Sequence, residues 1–234
     1  MRTTVFWGFL IILGSSLCAG AYTVAGLEWI ASTEAVPEIS QAAGLALVDT
    51  YAATKSAAEL TELAMSTRVG IAYAARSALR ALDDPVSSLV LLGADELWER
   101  AREASSSEER LDAARAYFLA TRASASLAFL EQEAVSNEST EWALAAGEML
   151  GGFYATYGIL SADDLADRII VSPHPGMRRA ASVALTALWV ADGVALTDDE
   201  IEVKLVELTQ WKPDLAAAYM GLLAHRFLVG LGPS

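Results

Sequence analysis

The sequence predicts an all-α protein in which an N-terminal transmembrane helix precedes a long array of helical pairs. Three observations lead there. Residues 3–27 carry no charge between Arg2 and Glu28. The remainder is rich in alanine, holds few prolines and shows no run of alternating apolar and polar residues, so helix is favoured over strand. Within it, pairs of adjacent alanines return at intervals of 32–39 residues.

The uncharged run is most apolar at Val5–Leu13 and then turns to small residues. As one helix of roughly 24 residues at ~1.5 Å per residue it matches a hydrocarbon core of about 30 Å. Trp7 falls near one end, Tyr22 and Trp29 near the other, where amphipathic rings favour the membrane interface. Gly14, Cys18, Ala21 and Ala25 follow at intervals of four, three and four, a thin stripe that lets a second membrane helix approach closely. The same residues admit another reading. Arg2, the apolar run and Ala19-Gly20-Ala21 have the layout of a secretory signal peptide whose cleavage leaves Tyr22 first. The reading adopted is a retained anchor over residues 1–30, with 31–234 as an extracytoplasmic domain. Arg2 is the only basic residue near the segment, so the N-terminus is expected on the cytoplasmic side.

The chain carries a net charge of −14, and without Arg2 the part after the segment carries −15. Such a surface repels nucleic acid and anionic headgroups alike, so no nucleic-acid partner is expected. The single cysteine, Cys18, excludes an internal disulfide. The fold must be held by packing.

Start and stop signals divide the rest. Pro37 suits a first helical turn, and Glu38–Leu82 contains no proline, so a long helix with a bend at Thr50–Ser56 is expected. A helix from Pro85 to about Ala104 follows, and then one that the start signal Ser105-Ser106-Ser107-Glu108-Glu109 opens, a serine three residues before a glutamate, and that runs to about Ala134. Asn137–Glu141 opens a helix closed by Gly158, and Ser161 one that ends near Ile170. Gly176–Asp192 closes at Gly193, Thr197 caps a helix to Trp211, and Pro213 starts the last.

The recurring unit is Ala-Ala with Leu or Phe four residues after the second alanine. It occurs at Ala42-Ala43/Leu47, Ala74-Ala75/Leu79, Ala113-Ala114/Phe118, Ala145-Ala146/Leu150, Ala180-Ala181/Leu185 and Ala217-Ala218/Leu222. Paired small residues let two helices close up while the larger one fills the gap a turn later. The period is that of two-helix repeats. Ser172-Pro173-His174-Pro175-Gly176-Met177-Arg178-Arg179-Ala180-Ala181 through Leu188 resembles the second-helix signature of HEAT-like repeats, and Arg68–Leu79 is a shorter copy. Trp142 and Leu215 depart from it, standing where the family has arginine, and tetratricopeptide-like pairs fit the period as well. The resemblance implies an antiparallel helical array of α-solenoid type that binds other proteins, and no catalytic residue.

No chemistry is concentrated anywhere. His174 and His225 are about 50 residues apart with no ligand cluster beside either. Asp163-Asp164 and Asp198-Asp199-Glu200 stand in first helical turns, where the macrodipole favours carboxylates. Trp98, Trp142, Trp189 and Trp211 are expected in the core, and Glu108–Arg115 as a solvated face. No catalytic, metal or cofactor site is expected. The function that remains is a non-catalytic, membrane-anchored accessory subunit that braces other membrane-protein subunits through its anchor and its helical body. The alternative is a secreted adaptor of the same fold, and a less favoured one an enzyme assembled from separated carboxylates.

Overall fold

The computed structural model describes residues 22–83, 86, 89, 92–136 and 139–230. The described chain is all-helical, with no strand. In order the helices are α1 (Val24–Thr33), α2 (Pro37–Ala46), α3 (Val48–Thr54), α4 (Ala57–Ala64), α5 (Val69–Asp83), α6 (Ala94–Glu103), α7 (Ser107–Thr121), α8 (Leu127–Ala134), α9 (Thr140–Tyr157), α10 (Ala162–Val171), α11 (Pro175–Asp192), α12 (Asp198–Leu208) and α13 (Pro213–Gly230).

Most expected ends coincide with the signals that mark them. Ser139, Ser161 and Thr197 each accept a hydrogen bond from the backbone N–H three residues on, and Gly158 and Gly193 close their helices at φ 57° and 64°. Between Glu38 and Leu82 the chain breaks at Lys55-Ser56, within the bend expected at Thr50–Ser56, where Ser56 and Glu59 form a reciprocal capping box. It breaks again at Met65–Arg68, and Ser126 caps a new helix inside the span expected to run on to Ala134, so these longer helices are corrected to shorter ones. The helix expected over 85–104 restarts at Gly93, with Leu89 and Leu92 packed on Val86, Leu97 and Ala116. At Ser56, Gly93 and Ser126 an extended serine or glycine ends a run that alanine propensity alone would continue.

The chain divides into two compact units. Their described parts are a central unit, within residues 84–189, and a terminal unit, formed by residues 22–83 with 190–230. In the terminal unit α1 packs on α2 and α5, α4 on α5, α12 on α13, and α13 on α2. In the central unit α6 packs on α7, and α9 receives both α7 and α8. The last hairpin of the chain therefore lies against the first within one unit. All six Ala-Ala pairs lie within helices, and eleven of the twelve alanines are buried, Ala217 alone being half-buried.

Each unit repeats the other's internal plan. Thr23 and Ser126, 103 residues apart, are extended N-caps that each accept from the N–H three residues on. Leu27 and Ala31 match Leu130 and Ala134, all buried. Tyr51 donates to the Glu28 carboxylate and Tyr154 to that of Glu131, each pair 23 residues apart. Gly44 meets the backbone of Gly70 so closely that a Cβ there would collide with the Gly70 carbonyl, and Gly147 stands in the same relation to Gly176. Both second helices thus approach their neighbours at a distance only glycine permits.

Candidate interaction surface

Helix α1 is set by a sharp local start. Thr23 is extended at φ −105°, ψ 156°, and its Oγ1 accepts from Gly26 N at 3.0 Å. Just before it, Tyr22 donates to Asp198 Oδ2 at 2.8 Å and meets the Phe227 ring edge-on with centroids 4.8 Å apart. Arg226 holds the other Asp198 oxygen at 2.9 Å. The inner face of α1 buries Leu27 and Ala31. Its only charge, Glu28, is taken by Tyr51 Oη at 3.0 Å, and burial beside that carboxylate raises the Tyr51 hydroxyl's pKa. The exposed residues of α1 are Val24, Ala25, Trp29 and Thr33, with Trp29 68% exposed.

The counterpart helix α8 has the same pattern of burial and a different outer face. Position for position, Trp29 corresponds to Gln132 and Ile30 to Glu133, whose carboxylate accepts from Trp142 Nε1 at 2.6 Å. One scaffold therefore exposes an amide in the central unit at the position where the terminal unit exposes an indole. Periodicity reading did not separate them, because the difference appears only when the two copies are aligned.

Of the residues expected to pack or border a membrane helix, Trp7, Gly14, Cys18 and Ala21 lie outside the described residues. Ala25 and Trp29 share the outer face of α1, and Tyr22 is joined to α12 and α13. Because extended Thr23 intervenes, α1 is a separate helix and the uncharged run is not one continuous helix as far as Leu27. Leu27 and Ala31, placed on either side of the expected boundary at residue 30, are buried on the same helix. Among the described residues no helix is long and apolar enough to cross a membrane.

The central unit contains a charge cluster that the sequence reading missed. Arg115 from α7 binds Glu148 on α9 through two hydrogen bonds of 2.8 Å, Arg179 from α11 adds one of 2.9 Å, and Asp112 lies 3.4 Å from Arg115. Burial alone would raise the pKa of Glu148; the hydrogen bond and charge of Arg115, then those of Arg179, hold it below the usual carboxylate range. Asp112 and Arg115 are thus enclosed, correcting the solvated face expected there. The corresponding terminal-unit positions carry Leu45, Tyr73 and Tyr219. With every charge of the triad matched by a partner, the arrangement clamps three helices together and offers no unpaired base.

The remaining expectations divide. Asp164 and Glu200 cap their helices as expected, their pKa values lowered by hydrogen bonds with Ser161 and Thr197 respectively. Trp142 is buried, whereas Trp211 is 80% exposed and Trp98, with Arg102 stacked on it, is also open, so two of the four expected core tryptophans are surface residues. His225 is depressed by burial and then by neighbouring Arg226. Among the described residues no three His, Cys, Asp or Glu side chains gather as a metal would require. Compared with models of protein families, with curated proteins and with solved structures, the chain matches none.

Proposed function

We infer that this chain is a non-catalytic accessory subunit, anchored by its N-terminal segment and bracing other subunits of a membrane complex with an extracytoplasmic helical body. The observation that carries the reading is the exposed indole of Trp29 on the outer face of α1, next to the uncharged run 3–27, where the equivalent helix α8 exposes Gln132. Hairpins of 32–39 residues with buried Ala-Ala pairs support a helical array of HEAT-like or tetratricopeptide-like kind, which presents broad faces rather than a deep pocket. The acidic surface directs it toward neutral or basic protein partners.

The secreted alternative also has an observation in its favour. Tyr22 is the residue that cleavage after Ala21 would leave first, and its bonds to Asp198 and Phe227 make it part of the body. Native electrophoresis of mildly solubilised source membranes separates the two readings. Co-migration with a larger assembly supports the subunit; recovery as a free monomer in the soluble fraction supports the secreted adaptor.

A further inference from the structure

We propose that the outer face of α1, Val24, Ala25 and Trp29, rests in the headgroup layer of the bilayer that holds the N-terminal segment, so that the terminal unit sits on the membrane without a flexible linker. This rests on the anchored reading above and adds to it a lipid-facing surface.

Three observations converge. The first is the length of chain upstream and where it ends. Residues 3–21 carry no charge, and 19 residues at ~1.5 Å each would span about 28 Å, close to a hydrocarbon core. Because extended Thr23 starts a new helix, a segment of that length would leave α1 at the water boundary. The second is the absence of slack. Tyr22, the next residue, is fastened to Asp198 and Phe227, and Thr23 caps α1. The third is the internal comparison with α8. Caps, buried residues and the Glu-to-Tyr bond are preserved between the two helices, but Gln132 occupies the exposed position that Trp29 occupies in α1. A helix facing water carries charged or polar residues outward. Here the lone charge, Glu28, is turned to Tyr51, and an indole takes the exposed site, as it does at lipid interfaces.

The lipid chemistry follows from the neighbouring charges. Glu34 lies immediately beyond α1, and Glu202 is close enough to Glu34, Asp199 and Asp198 for their carboxylates to raise its pKa after the effect of burial. These groups repel anionic headgroups, so the surface suits zwitterionic ones.

The test uses the full chain in phosphatidylcholine vesicles, in a Cys18→Ser background, with a nitroxide attached at one introduced cysteine at a time. Ala25→Cys and Trp29→Cys report on α1, Phe9→Cys on the segment, and Gln132→Cys on the matched water-facing position. The measurement is the ratio of collision rates with oxygen, which concentrates in lipid, and with a water-soluble nickel chelate. The expected result is a ratio at 25 and 29 several-fold above that at 132 and below that at 9. Ratios at 25 and 29 equal to that at 132, with 9 in lipid, would overturn the proposal and leave the anchor standing. Aqueous ratios at all four positions would overturn both. Shielding of 25 and 29 from both colliders would also overturn it, by showing that protein, in the form of a second copy, covers the face.

Discussion

Tyr51 donates its hydroxyl to the carboxylate of Glu28 at 3.0 Å, and so fastens α3 to α1. The same bond recurs 103 residues later between Tyr154 and Glu131 at 2.7 Å, with one addition: Arg168 Nη1 donates to Tyr154 Oη at 3.0 Å. Two copies of one device, one simple and one elaborated, give matched experiments within a single protein.

Tyr51→Phe should therefore lower stability by about 1 kcal/mol, the loss of one hydrogen bond to a part-buried carboxylate. Tyr154→Phe should cost more, because it deprives both Glu131 and Arg168 of a partner. Burial first, then the hydrogen bond to Glu131, pushes the Tyr154 pKa up to about 12. A folded-state value above the unfolded one of 10.0 means that this stabilisation is fully present below pH 10.0 and is lost as pH rises through about 12. Denaturant titrations across that window should show Tyr154→Phe losing less stability than the parent.

Gly147 and Gly44 test the close approach of helices. A Cβ at either would collide with a backbone carbonyl, of Gly176 and Gly70 respectively, and neither carbonyl can move without its helix. Each Gly→Ala change should destabilise by about 2–3 kcal/mol through overpacking, despite alanine's better helix propensity. Gly158→Ala meets nothing within 4 Å but must adopt φ 57°, so it should cost only about 1 kcal/mol. Chemical denaturation of the three variants checks the order.

The charge cluster of the central unit should behave as a set. Glu148→Leu alone leaves Arg115 and Arg179 without their carboxylate, and with the Glu148 side chain only 20% exposed the expected loss is about 2–4 kcal/mol. Installing the terminal unit's residues together, Asp112→Ala, Arg115→Tyr, Glu148→Leu and Arg179→Tyr, should recover most of it, because it removes all four charges at once and leaves none without its partner. The pH dependence has a definite sign. The pKa of Glu148 is depressed on folding, so its contribution is present above the unfolded value of 4.5 and is lost as pH falls through the folded one. The quadruple variant should lack that acid-side loss in a pH series of unfolding midpoints.

How much of this was legible in the sequence follows from the range of each interaction. Caps and closing glycines act within four residues, so Ser139, Ser161, Thr197, Gly158 and Gly193 could be placed from the text. The Ala-Ala period could be read too, since paired small residues are the trace that close helix packing leaves. The break at Lys55-Ser56 falls within the bend expected at Thr50–Ser56, but those at Met65–Arg68 and Ser126 could not be read, because alanine-rich flanks favour helix on both sides and tertiary packing decides where the chain turns. Glu148 and its arginines are separated by 33 and 31 residues, and nothing local marks them as partners. The distinction between α1 and α8 needed the duplicated plan as a ruler.

The most direct measurement is the intact mass of the mature protein isolated from the membranes of its source. A retained anchor predicts the full chain, 24.8 kDa apart from removal or modification of Met1, in the membrane fraction after an alkaline wash. A mature chain that begins at Tyr22, or one released by that wash, would contradict the account.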